Sequence, residues 1–281
     1  RQDWPQNDAV AVSQAQPMID ARAVRELTVS DRSGPRNGSA LAHLSAASGM
    51  ARIGQRLYVV ADDEHALGVF DLSDNSPGRL FPIFEGDLPL HYHARKAAKP
   101  DLESLVVLPT LPGLPNGALL ALGSGSLPNR QRGVCVPLDA RGDPVAPVRH
   151  IDLSGWFEPL HRQFPDLNIE GAFIDGADLC LLQRGHSVSP VNACLRFAWH
   201  EVETWLQSGG PVPSLASAIH FDLGLVNGVP LCFTDGAALP DGSWVFTATA
   251  EATDDSVADG YCHGSAVGRV GATGQIQLLE P

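Results

Sequence analysis

The sequence predicts an all-β fold, a β-propeller of five blades with six as the alternative, carrying long loops between its strands. Three observations lead there. A two-strand module recurs four times, glycine turns lie inside those modules, and only one segment of the 281 residues has a clear helical period. Residues 1–16 read as a loose arm and residues 17–281 as one propeller domain.

Each module starts with a polar or acidic residue followed by small and apolar ones, at Ser48-Gly49-Met50, Glu103-Ser104-Leu105, Glu170-Gly171-Ala172 and Asp235-Gly236-Ala237. The turn glycine follows after six residues from Ser48 to Gly54 and from Glu170 to Gly176, and after seven from Asp235 to Gly242. A proline-rich insert, Pro109–Pro115, stretches the second module as far as Gly117. Apolar runs follow the turns: Leu57–Val60, Leu119–Leu122, Leu179–Leu182 and Trp244–Phe246. Asp175-Gly176 and Asp241-Gly242 are hairpin signals, because glycine accepts the positive φ such turns need. Trp199–Leu206 has the spacing of a helix, and a shorter helical turn is expected in Leu153–Phe164. Module starts are spaced more widely than regular propeller blades, which implies long loops or extra strands. Two N-terminal strands, Ala23–Val29 and Ser39–Leu44, flank the loop Asp31–Asn37 and are expected to close the ring by pairing with the last blade. Gln275–Leu279 reads as an outer strand, after which a fifth start is expected.

With 44% hydrophobic and 18% charged residues the chain can bury a large core. A formal charge of -13, with no basic stripe to offset it, repels phosphate backbones. Apolar runs are too short for a membrane helix, so a small-molecule ligand is the expected partner, with no nucleic acid and no membrane. The first residue is Arg1, so the expected compartment is the cytoplasm, or the periplasm or exterior where a signal peptide has been removed. Five cysteines without a CxxC pair indicate buried free thiols, with Cys180 and Cys194 on neighbouring strands as the one pair able to bridge.

Antiparallel pairing puts the start of a blade's first strand and the end of its second at one mouth of the channel. Glu103, Glu170 and Asp235 are thereby brought toward Asp62-Asp63, Ser124-Gly125-Ser126, Gln183-Arg184 and Glu251. A ring of carboxylates needs counter-charge, from a hard cation such as Ca²⁺ or from Lys99, Arg130, Arg132 and Arg184. The same acids could equally serve as salt bridges tying the blades together. His91-Tyr92-His93 would put two imidazoles on one strand face, and Asp254-Asp255 with Asp259-Gly260 makes an acidic turn; a solvated loop and a hydrated turn are the simpler readings. Neither a nucleotide-binding glycine loop nor a serine-hydrolase elbow is present.

Lys99–Leu105 (KPDLESL), Leu122–Ser126 (LGSGS), Leu167–Ala172 (LNIEGA), Leu181–Gly185 (LLQRG) and the Asp259–Gly268 segment resemble an uncharacterised bacterial propeller family. Its acid-Gly blade starts are similar to those of esterase-like phytases and gluconolactonase-type propellers. That resemblance implies a metal at the channel mouth, with Glu103, Glu170 and Asp235 as ligands and Asp62 or Asp63 as a base. Ser48 departs from it by placing a hydroxyl where the other modules place an acid. The expected function is metal-assisted hydrolysis of an ester, lactone or phosphoester. Asp62, Asp63 or Glu251 would take the proton, and Arg184, Gln183, Ser124, Ser126 and Lys99 would bind substrate. The alternative is a non-catalytic propeller that binds a small molecule or a protein at the same mouth.

Overall fold

The computed structural model describes residues 23–30, 44, 46–255 and 260–280. Among these, four antiparallel sheets are each formed from one uninterrupted run of chain. Blade 1 comprises β1 (Ala47–Ile53), β2 (Arg56–Ala61), β3 (Ala66–Asp71) and β4 (Arg79–Pro82). Blade 2 comprises β5 (Leu102–Leu108), β6 (Ala118–Gly123), β7 (Arg132–Pro137) and β8 (Arg149–Asp152). In blade 3 follow β9 (Ile169–Asp175), β10 (Asp178–Gln183), β11 (Asn192–Ala198) and β12 (Leu215–Phe221). Blade 4 has five strands, β13 (Leu225–Val226), β14 (Val229–Ala238), β15 (Trp244–Ala252), β16 (Tyr261–Val270) and β17 (Ile276–Glu280).

The innermost strands β1, β5, β9 and β14 pack side by side around an axis, so the molecule is a β-propeller of four blades. Five or six blades were expected because a fifth start should follow Gln275–Leu279 and the N-terminal strands have no module of their own. Outer strands and inserted helices account for the wide spacing of the modules, and the last predicted strand is the outer strand of blade 4.

In blades 2 and 3 the second strand is apolar along most of its length because neighbouring blades cover both faces. Tyr58 and Val60 point toward Leu119, Ala121 and Val134 of blade 2. Leu120 and Leu122 meet Leu179, Leu181 and Leu195 of blade 3, and Cys180 and Leu182 meet Phe246, Ala248 and Ala250 of blade 4. Each of these buried side chains contributes roughly 1.5–3 kcal/mol of transfer free energy. Close approach at the axis needs small residues: a Cβ on Gly49 would lie 2.8 Å from the Leu105 nitrogen, and one on Gly171 would lie 3.0 Å from the Asp235 Cα.

Helix α1 (Tyr92–Ala98) joins blades 1 and 2, α2 (Ser154–Gln163) joins blades 2 and 3, and α3 (Trp199–Ser208) joins the outer strands of blade 3. Trp156, Phe157 and Leu160 of α2 and Val202 and Leu206 of α3 fill the core between blades 2 and 3. Among the described residues no helix is long and apolar enough to cross a membrane. His91 precedes α1 while Tyr92 and His93 open it, so the two imidazoles do not share a strand face; their rings lie exposed, 5.7 Å apart. The cysteines are free, Cys135, Cys180, Cys194 and Cys232 buried and Cys262 exposed.

Of the expected strand Ala23–Val29, only Val29 makes a bridge, to Gly78 of blade 1. Leu27, Val29 and Leu44 cover Leu57, Val59 and Phe70, so the described N-terminal residues dress the first blade rather than complete the last. The arm 1–16, the loop Asp31–Asn37 and the segment Ser39–Leu44 except Leu44 lie outside the described residues. Blade 4 meets blade 1 through β14 and β1, where the Met50 amide donates to the Asp235 carboxylate.

Candidate functional site

One irregularity recurs in all four blades. Each innermost strand carries one residue without a partner across the ladder, a β-bulge, second in β1, β5 and β9 and sixth in the longer β14. The extra residues are Ser48, Glu103, Glu170 and Thr234. Such bulges re-aim side chains, and all four of these line a cavity of about 280 Å³ at one mouth of the channel. The ring therefore has an acidic half on blades 2 and 3 and a hydroxyl half on blades 1 and 4.

The fourth ring member is thus Thr234, not Asp235. Modules aligned on their turn glycines place Asp235 opposite Glu170, but the turns differ. Gly54 and Gly176 open two-residue turns, whereas Gly242 closes a longer loop between Leu239 and Ser243. Asp235 falls one layer below the mouth, level with Gly49, Ser104 and Gly171. There it accepts the Gly236 amide at 2.7 Å as well as that of Met50. Burial, with the Glu170 charge adding to it, pushes its carboxyl up to about 7.

The ends of the second strands supply the counter-charges. Lys99 follows α1, and Asp101 turns the chain into β5 with φ 57, a left-handed conformation that aspartate tolerates better than most residues. Lys99 contacts Asp62, and its ammonium lies 2.7 Å from Asp101. Burial opposes its charge, but Asp101 and Asp62 outweigh that and hold the ammonium protonated. Arg130, brought in by a 3-10 turn at Pro128–Arg130, pairs with Asp101 at 3.1 Å. Both are almost fully buried. Ser124 donates to Asp101, and Ser126 accepts from Arg130 at 3.0 Å. Across the cavity Arg184 spans Glu170 at 3.1 Å and Glu251 at 2.5 Å. Asn168 donates to Glu170 at 2.7 Å, and Glu251 also accepts the Gly260 amide at 2.6 Å.

Glu103 stands apart. Among the described residues no donor hydrogen-bonds its carboxylate and no cation pairs with it. Burial, reinforced by the negative charges of Glu170, Asp101 and Asp62, raises its pKa well above the ordinary glutamate range. A carboxyl raised in this way is easier to protonate than an ordinary glutamate and gains from an incoming positive charge.

Asp63 pairs with Arg95 at 2.9 Å and does not line the cavity. Gln183 is a buried tie, accepting the Asn168 amide at 2.8 Å and donating to the Asp166 and Arg184 carbonyls. Arg132 lies over the Phe84 ring and Asp255 lines the cavity, while Asp259 falls outside the described residues. Asp101, Arg130, Asn168, His186 and Thr234 belong to the mouth without having been singled out as site residues. The acid two places before Glu103 in KPDLESL is the signal that could have found Asp101.

Carboxylate oxygens of Asp62, Asp101 and Glu103 all come within 4.8 Å of one another. This differs from the expected ligand set, because Glu170 is turned to Arg184 and Asp235 lies below. Asp62 Oδ1 is buried and accepts no hydrogen bond among the described residues. The three carboxylates are a donor set that fits a hard cation, and Asp62 and Glu103 both line the cavity.

Fold and mouth together define a four-bladed propeller with a polar, acid-rich cavity at one mouth of its channel. The chain belongs to the family of unknown function DUF6929, whose model matches residues 43–280. No curated protein gives a significant match. Among solved structures it is similar to hydrazine synthase of Kuenenia stuttgartiensis, with 12% identity, a TM-score of 0.38 and coverage of 88% of this chain and 52% of that one. It is also similar to PorZ of the type-IX secretion system of Porphyromonas gingivalis, with 11% identity, a TM-score of 0.33 and coverage of 81% and 25%. The chain thus spans about half the length of the first and a quarter of the second.

Proposed function

We propose that the channel mouth is the ligand site of this propeller and that it receives a small positively charged group at Glu103. The observation behind this reading is the balance of charge. Asp62, Asp101, Glu103, Glu170 and Glu251 face Lys99, Arg130 and Arg184, and Glu103 is the carboxylate left without a partner. A divalent cation such as Ca²⁺ is the simplest occupant, with Glu103 and Asp62 supplying oxygen ligands. Anions are poorly served, because each cation is already tied to carboxylates; Arg184 has no charge left for a substrate phosphate. Thermal melting with calcium and magnesium chloride and with simple amines tests the proposal. At least one of them should raise the melting temperature of the wild type by a few degrees and leave Glu103→Gln unmoved. No shift from any of them would reject it.

A second reading, hydrolysis of an uncharged ester or lactone, is favoured by the raised pKa of Glu103. Asp62, Asp63 and Glu251 are held by Lys99, Arg95 and Arg184. Glu103 is therefore the carboxyl free to carry a proton to or from substrate, a role worth typically 10²–10⁴-fold in rate. A bound cation would polarise the substrate carbonyl. p-Nitrophenyl acetate and γ-butyrolactone are suitable probes, and hydrolysis equal in wild type and Glu103→Gln rejects this reading.

A further inference from the structure

We infer that the mouth is built for a small hydroxylated amine of amino-sugar size, its ammonium on Glu103 and its hydroxyls on Ser48 and Thr234. This rests on the reading that the mouth takes a cation at Glu103, and extends it to the rest of the ligand. Four observations converge.

First, the bulges set two hydroxyls at the ring positions that complete the circle begun by Glu103 and Glu170. Secondly, those hydroxyls present lone pairs. Ser48 Oγ donates its proton to the Ala46 carbonyl at 3.0 Å, and Thr234 Oγ1 donates to Thr247 Oγ1 at 2.8 Å. Together with Glu103 they make a wall rich in acceptors. Its complement is a ligand rich in donors, which hydroxyl and ammonium groups supply.

Thirdly, among the described residues the wall holds no phenyl or indole ring; His186 is the one aromatic side chain there, and it lies 3.4 Å from Asp166. A flat aromatic ligand would find no stacking surface, and an anionic one no unspent positive charge. Fourthly, the cavity of about 280 Å³ falls just under the roughly 300 Å³ at which pockets for drug-sized molecules begin. That leaves room for one small saturated ring and its substituents.

Titration calorimetry at pH 7, where the glucosamine amine is mostly protonated, with D-glucosamine, N-acetyl-D-glucosamine, ethylamine and calcium chloride tests the assignment. Glucosamine should bind at least about tenfold more tightly than ethylamine, which lacks the hydroxyls, and than N-acetylglucosamine, which lacks the charge, about 1.4 kcal/mol in each case. Glu103→Gln should weaken glucosamine and ethylamine alike by about tenfold or more. The double substitution Ser48→Ala, Thr234→Val should bring glucosamine down to the level of ethylamine without changing ethylamine itself. Glucosamine binding no better than ethylamine, or N-acetylglucosamine binding equally well, overturns the inference even if neither variant folds. Calcium or ethylamine binding that depends on Glu103, without a preference for glucosamine, leaves the cation site standing and removes this ligand class. Silence from all four probes removes both.

Discussion

At the scale of single residues the mouth trades stability for an unsatisfied charge. Glu103 is enclosed beside three other acids and, among the described residues, unpaired; its raised pKa means that its contribution to stability falls as pH rises, so Glu103→Gln should stabilise the protein increasingly with pH. Urea unfolding of both forms checks this, and a destabilised variant would mean that Glu103 holds the fold together. The opposite outcome is expected at Lys99. Replacing it by Met leaves Asp62 without its cation and Asp101 with Arg130 alone, a change expected to cost about 3–5 kcal/mol. A melting temperature within a degree of the wild type would show the lysine to be dispensable. Gly49 is constrained by space alone, since any Cβ would strike the backbone of β5.

Strands and turns determine which of these residues could be read ahead of the structure. The four hairpins, the helix from Trp199 and the small residues at the axis were legible, because apolar runs, glycine turns and helical spacing are local patterns. So was the gathering of Asp62, Glu103, Glu170, Arg184 and Glu251 at one mouth, which follows from antiparallel pairing. The position of Thr234 was not, because a bulge leaves no mark in composition and an acid lay next to it. Helix α1 was hidden by its short length and its histidines. Four blades looked like five because the last strand and the N-terminal segment suggest parts of a further blade, whereas the first is the outer strand of blade 4 and Val29 bridges blade 1. The bulge equivalence can be tested: Thr234→Glu should place a third carboxylate on the ring and cost about 1–2 kcal/mol at pH 8, with less lost at pH 5. An equal loss at both pH values would indicate a packing defect instead.

For the whole molecule, the joint between the last and first blades is where pH acts. The Asp235 carboxyl lies at about 7 in the fold, raised by burial, against about 3.9 in an unfolded chain. Protons are therefore bound more tightly by the native state, and the contribution is full below pH 4 and lost as pH rises through 7. Between pH 5 and 8 the wild type should lose about 2–3 kcal/mol that Asp235→Asn does not lose. Parallel urea titrations of the two proteins would show no difference in slope if another group governs the joint. Thiol labelling gives a second measure of the closed ring: a chromogenic disulfide should modify Cys262 at once and the four buried cysteines only on unfolding. Each blade, moreover, is one continuous stretch of sequence, and no strand is lent from one end of the chain to the other among the described residues. The ring is held shut by contacts that can form between separate polypeptides. A backbone nick in the exposed stretch Glu85–Asp87, between blades 1 and 2, should therefore yield two fragments that find each other and rebuild the mouth, with Lys99 on one piece and Asp62 on the other.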